Sequence, residues 1–552
     1  MKFFAKASIL GAAACALISC VEINTGIGGD LVPVDSRYKV YSVEIPLDEV
    51  DMRMADSLSG YSQSRITIGA IKDDTFGTTA RESAVTIVPL YDTLNFGNVQ
   101  KVNYFTMTAA FDTTSVSAEG NERILQRVYV TELESGIDYT KLTDANDCAG
   151  LIKHGTGSIV KGTPIIDGAD DLTLNFTDDF AWKLINGTNG LVLSSEMDKY
   201  FEAVPGLYIY TDKPSYEGGR INTFDVQMNY NSSSYYLESN YGELNITSIF
   251  DEEVGAVDTS FFFYYGATQF TQLDTLITEY SNGSFPQYAF NVTRHETRPL
   301  AGKATDKVYV EGGAGLKPVI PALSLKHLAE KAIQDTLLAQ GRSSADYTKA
   351  IINKASLVLP FSMDTPYTEL DSHFPPRLSP TCRIWTDTTS TFMGLTDASM
   401  EDENMGDINR SICEYSPDIT YHLQQILLKD EDEDEGFKTG NYDIWMLLMS
   451  EQTTTSSSSS SSSSDYSEYL QYLAYQSYYN SMYGSSSYGY GSSYYSNYYS
   501  YLLAAMYASG SSSTTSTEYA LDKDAYFKAV LYGPESADRQ PSLKLVFSIP
   551  EE

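Results

Sequence analysis

The chain has 552 residues, with 73 acidic against 37 basic side chains and a formal net charge of −36. That length accommodates two or three domains with cores of their own. Such a charge repels nucleic acid, which is excluded as a partner, and it discounts attraction to anionic head groups.

At the N-terminus, Lys2 and Lys6 precede an apolar run, Ala7–Ile18, that is too short to span a bilayer. This is the pattern of a secretory signal peptide, residues 1–19. Leu17, Ile18 and Ser19 then lead into Cys20, which resembles the lipobox of bacterial lipoproteins. The resemblance implies cleavage after Ser19 and acylation of the Cys20 thiol, the predicted lipid attachment site. Cys15 follows three alanines and lacks the branched residue expected three positions upstream. Each buried methylene adds roughly 0.8 kcal/mol to anchoring, so several acyl chains on Cys20 hold a protein to a membrane. No later segment has about eighteen consecutive apolar residues, so the expected anchor is lipid alone.

Residues 20–40 are polar and glycine-containing and read as a lipidated tether. Strand signals follow, divided here into a β-rich domain over 41–300 and a second over 301–552. Ser64–Ile71, Lys101–Phe111, Gln126–Leu133 and Leu207–Thr211 are rich in Val, Ile, Tyr, Phe and Thr and bounded by turn residues. In KVNYFTMTAAF, alternation puts Val102, Tyr104 and Thr106 on one face and Asn103, Phe105 and Met107 on the other. Both faces are partly apolar, which predicts a strand interior to a sandwich.

Few stretches have helical spacing. In PALSLKHLAEKAIQDTLLAQGRSS, Leu325, Leu328, Ala329, Ala332 and Ile333 do, with Ser324 as the expected N-cap and Gly341 as the stop. It reads as a crossover between strands. The fold class expected is mainly β: one or two sandwich or jelly-roll-like domains with a crossover helix.

A Ser/Tyr-rich insertion, 453–517, interrupts a strand pair expected between YDIWMLLM (442–449) and AYFKAVLYG (525–533). Its serine flanks read as linkers. Asp465 and Glu468 mimic a capping box, Tyr466, Tyr469, Tyr472 and Leu473 recur at helical intervals, and a second apolar run from Tyr498 to Tyr507, which includes Tyr501, ends near Gly510. Two short paired helices are expected, against the alternative of low-complexity disorder. Tyrosine rings lie flat on sugars and protein surfaces, so Tyr466, Tyr469, Tyr472, Tyr498 and Tyr501 form the expected contact surface.

Together, ITIGAIKDDTFGTTARES (66–83), GLYIYTD (206–212), KVYVEGGAGLKPVI (307–320) and INKASLVLP (352–360) resemble, in their order, domain-of-unknown-function family 4270. These are outer-membrane lipoproteins of the Bacteroidota. The resemblance covers roughly residues 40–450 and the closing LKLVFSI. It implies location and architecture, with no assigned activity and no functional residues.

Other constellations fail on spacing. HETRP (295–299) lacks a second histidine four residues on, as a zincin needs. EGGAGLKP has no following Lys-Ser or Lys-Thr and reads as a β-turn or bulge rather than a phosphate cradle. In KDEDEDEGF (429–437) the sixth position of an EF-hand loop would be Glu435 and the twelfth Asn441, so calcium is not expected there. Cys148, Cys382 and Cys413 form no CxxC pair. They allow one disulfide at most, Cys382–Cys413, with buried free thiols preferred. No cofactor, metal or catalytic residue is expected. The sequence therefore predicts a non-catalytic, lipid-anchored outer-membrane protein, at the cell surface in preference to the periplasmic face, that binds a glycan or protein ligand or serves an envelope complex. The rivals are a fimbrial subunit, cut at Arg53 or Arg65, and a surface glycan hydrolase.

Overall fold

A computed structural model describes residues 38–55, 58, 60–62, 65–117, 125–137, 152–231, 236–266, 289–296, 300–385, 390–399, 404–456, 514–522 and 525–550. Strands make up 50% of it against 18% helix, so the class is mainly β, as the sequence predicts. The principal strands of the first half are β1 (Tyr38–Pro46), β2 (Asp51–Met54), β3 (Arg65–Asp73), β4 (Gly77–Pro89), β5 (Asn98–Ser117), β6 (Gln126–Leu133) and β7 (His154–Ser158). After helices α1 (Asp178–Thr188) and α2 (Leu193–Ala203) come β8 (Leu207–Thr211), β9 (Gly218–Asp225), β10 (Gly242–Ile249), β11 (Ala256–Gly266) and β12 (Ala289–Glu296). The second half holds β13 (Lys307–Glu311), β14 (Leu316–Ile320), helix α3 (Ala322–Ala339), β15 (Ile351–Pro360), β16 (Arg377–Trp385), β17 (Ser390–Gly394) and helix α4 (Thr420–Leu427). It closes with β18 (Ile444–Ser456), β19 (Thr514–Leu521), β20 (Lys528–Tyr532) and β21 (Ser542–Pro550).

In the first unit the antiparallel path β11-β10-β5-β9-β3-β4 returns to β11, because the last residues of β4 pair with it. Its core is aromatic: Phe105 lies against Phe176 and Phe263, at centroid separations of 4.6 and 5.4 Å. Offset and tilted ring pairs of this kind contribute beyond their area. Helices α1 and α2, for which the sequence reading had no place, pack on this core. Thr177 caps α1 by accepting from the Phe180 amide, Asp178 and Asp179 sit in its first turn, and Phe180, Leu184 and Ile185 face inward. In α2, buried Tyr200 donates its hydroxyl to the Ile87 carbonyl at 2.8 Å.

The second unit stacks two sheets. One is ordered β1-β21-β15 and continues through two-residue strands at 414–415 and 408–409; the other runs β2-β14-β18-β16-β17. Leu543, Leu545 and Phe547 of β21 and Leu357 of β15 meet Ile444, Met446 and Leu448 of β18 in one core, with α3 contributing Leu325, Ala329, Ile333 and Leu337. Tyr41 and Met52 belong to this core as well. The strands that open the 41–300 region therefore pack with the 301–552 region. Sequence proximity misleads here because β1 pairs along its whole length with the C-terminal strand, from Tyr38↔Pro550 to Pro46↔Ser542.

Two local expectations change. Ser324 is not the N-cap of α3, since the helix begins at Ala322; the Ser324 hydroxyl donates to Asp48 at 2.8 Å, and Asp443 accepts from the Ala322 amide at 2.9 Å. The cap comes from a residue distant in sequence, which local spacing does not reveal. On β5 the outer face is not interior: Tyr104 is 40% exposed and donates to Glu243, while Phe105 and Met107 are buried. A register shift between Tyr104 and Val102 turns Val102 inward too, which produces the doubly apolar pattern.

Candidate contact surface and the charged seam

β18 is held on one edge by β16 only as far as Met449, opposite Arg377. On its other edge β14 pairs at Ile444 and Trp445, and β19 takes over from Met449. Beyond Met449, among the described residues, β18 and β19 pair only with each other, as a two-stranded ribbon running out to Ser456↔Thr514. This corrects the expected partner of 442–449: residues 528–532 pair with β13, and the insertion leaves and rejoins the fold through Thr514–Leu521. The predicted helices, with Tyr466, Tyr469, Tyr472, Tyr498 and Tyr501, lie outside the described residues, as do Cys20, residues 20–37 of the tether and Cys148; the last three tether residues, 38–40, instead begin strand β1.

A second feature, which the sequence did not single out as a cluster, joins the two units. Glu311 ends β13 and lies opposite Lys528 of β20, and the two side chains form a direct ion pair that is almost wholly buried. Lys528 also donates to Thr79 of β4 at 2.8 Å and sits over the rings of Phe76 and Tyr526, at 4.7 and 5.2 Å. From β12, His295 brings Nδ1 to 3.5 Å from the Glu311 carboxylate. The glycine-rich turn between β13 and β14 wraps the Lys317 ammonium, which donates to the carbonyls of Glu311, Gly313 and Gly315 at 2.5, 2.8 and 3.0 Å. EGGAGLKP is thus the β-turn expected. Gly313 has φ +58°, and a Cβ there would come within 2.5 Å of the Arg81 guanidinium.

Burial sets the protonation in this seam. It pushes His295 down to about 4, because the nearby cations Lys528, Arg81 and Lys317 add to the desolvation and outweigh Glu311. Lys317 falls to about 7, chiefly through desolvation, with Glu311 opposing. For Glu311, burial pushes upward but Lys528 and His295 prevail, leaving it below the ordinary carboxylate range. At neutral pH the seam is an ionised carboxylate held between cations and a neutral imidazole. Its ammonium and carboxylate satisfy each other, so its chemistry is that of a lock between β4/β12 and β13/β20.

The remaining motifs resolve into structural roles. Glu296 is exposed and pairs with Lys213 on the opposite face from His295. In the acidic run, Asp434 caps a short helix by accepting from the Gly436 amide and also accepts from the Tyr442 hydroxyl at 2.8 Å. Among the described residues no group of three or more His, Cys, Asp and Glu is placed to hold a metal ion, and no helix is long and apolar enough to cross a membrane. Cys382 and Cys413 are buried, and no disulfide joins them. Arg53 lies inside β2, bonded to Asp51 and Asp443, and Arg65 begins β3, paired with Asp112, so both positions raised for cleavage sit in paired strands. No family model, curated protein or solved structure matches the chain.

Proposed function

We propose that the chain is a non-catalytic, lipid-anchored protein of the outer membrane that binds a protein or glycan ligand through the tyrosine-rich segment 457–513. The observation that carries the reading is the ribbon. It extends past the last pairing of β16 and presents both ends of the segment side by side, at Ser456 and Thr514. Tyrosine supplies large contact area with few rotatable bonds, and a segment held at a ribbon tip reaches a partner without disturbing the core. The lipobox-like sequence before Cys20 and the ordered motifs resembling family 4270 support the location. Affinity purification from native membranes, with and without 457–513, tests the reading. A partner recovered equally with both chains would reject the segment as the contact surface, and absence of acyl groups on Cys20 would reject the anchor.

The fimbrial reading retains one point in its favour. β1 is an edge strand whose only sheet partner among the described residues is β21, the geometry that strand exchange requires. An SDS-resistant ladder would support it.

A further inference from the structure

We infer that the end of the second unit carrying Tyr38, Val40 and Ile351 rests against the bilayer that holds the anchor; the inference builds on the proposed acylation of Cys20. Val40 of β1 and Ile351 of β15 both pair with Ser548 of β21, so their side chains stand on the same face of the sheet, one row across three strands. Tyr38 is two residues before Val40, on the same face. These side chains are 48%, 58% and 48% exposed for Tyr38, Val40 and Ile351, at the end of the strand that the tether enters. Elsewhere the inner face of this sheet is filled by Leu543, Leu545 and Phe547, so the apolar outer row has no role in the core.

On the same face as the row, Lys354, opposite Val546 of β21, pairs with the buried carboxylate of Asp418; Lys349 pairs with Asp346, and Lys39, on the other face of β1, reaches Gln340. No acidic side chain occurs on β1 before Glu44. The chain's last two residues, Glu551 and Glu552, lie outside the described residues. Seventeen residues, 21–37, separate Cys20 from Tyr38 in sequence, so this end of the sheet is the described part of the chain that lies nearest in sequence to the proposed anchor. Three half-exposed apolar side chains would not hold a free protein on lipid. They are enough to bias the orientation of one already tethered at high local concentration. Tyrosine at the interface, with its ring in the head-group layer, fits the same seat.

The test uses the full mature chain in a Cys20→Ser, Cys148→Ser background. It is held through an N-terminal histidine tag to chelator lipids in phosphatidylcholine vesicles brominated near the head group. An environment-sensitive fluorophore is placed at Val40→Cys or, as control, at Val254→Cys, an exposed position in the first unit. Seating predicts that emission at position 40 is quenched by about half while position 254 keeps its intensity. Equal quenching at the two positions overturns the inference. Tyr38→Ser with Ile351→Ser should restore emission at position 40, and persistent quenching would also count against the row. Because the tag replaces the acyl groups, this outcome is independent of acylation, which is read separately from the mass of the wild-type chain.

Discussion

Ser456 and Thr514 stand opposite each other as the terminal pair of an antiparallel ribbon, with residues 457–513 between them in sequence. An insertion whose ends already meet contributes nothing to the register of the strands that carry it. Replacing 457–513 by Asn-Gly, which suits the two-residue turn of such a hairpin, should leave the fold intact. Shortening the loop lowers the closure cost by at most about 3 kcal/mol, so stability should be unchanged or raised. Thermal unfolding and native-membrane pull-down check both halves of the claim: an unaltered or higher midpoint with the partner lost. A collapsed midpoint would mean that the segment packs on the body.

Breaking the Glu311–Lys528 pair should cost far more than breaking an exposed one, because either single change strands a buried charge. Lys528→Met removes the ammonium paired with the Glu311 carboxylate, leaving His295 at 3.5 Å and the Leu316 amide at 3.2 Å beside it. The expected loss is roughly 3–5 kcal/mol, whereas breaking a solvent-exposed pair such as Lys303–Glu49 should change stability little. The double change Lys528→Met, Glu311→Leu should cost less than the sum of its parts, since no orphan charge remains. Urea titration of the four chains measures this. A single-variant loss below about 1 kcal/mol would show that the seam is not a lock.

The seam also marks where the sequence was legible and where it was not. Gln126–Leu133 and Leu207–Thr211 are observed with the bounds the β-branched and aromatic runs suggest. Helix α3 shows its apolar stripe in plain 3.6-residue spacing. These signals are local. Glu311 and Lys317 share one turn, but Lys528 and His295 come from two other, distant segments, and each alone reads as an ordinary strand or turn residue. What unites them is the pairing of β13 with β20 across more than two hundred positions, which no local pattern encodes. β1 misleads for the same reason: YKVYSVEIP announces a strand but not that its partner is the far end of the chain. Helices α1 and α2 were legible in principle, through Thr177-Asp178-Asp179 and the spacing of Phe180, Leu184 and Ile185.

Cys382 and Cys413 are 1% and 7% exposed and not joined by a disulfide, so a thiol reagent should reach them only when the second core opens. In the mature chain with Cys20→Ser and Cys148→Ser, labelling without denaturant should proceed at the unfolding rate, and both thiols should react at once in urea. Rapid labelling of the native chain, or a mass lower by one pair of hydrogens after oxidative refolding, would contradict this.

Acid should destabilise the protein between pH 6.5 and 4, and two histidines fix the sign. Burial pushes both His295 and His422 down to about 4 from an ordinary 6.5. His422 stays neutral in the core while its Nε2 bonds the Tyr442 carbonyl at 3.0 Å. As pH falls through this window the unfolded chain takes up protons that the folded chain refuses, so the stability present above 6.5 is lost, at about 1.4 kcal/mol per unit of pKa difference for each histidine. Asp397 works the other way. Burial raises it to about 6 although the amides of Tyr421 and His422 donate to it, so the folded state protonates first and gains stability from pH 6 down to 3.8. Two groups against one leave a net loss. His422→Gln keeps a donor for Tyr442 but does not titrate, and, because Asp397 still opposes the remaining histidine, should remove most of the fall in urea midpoint between pH 7 and pH 4.5, roughly four-fifths of it. Asp397→Asn, which removes the opposing group, should steepen it. If the histidine variant falls as far as the wild-type chain, the buried imidazoles are not what acid attacks.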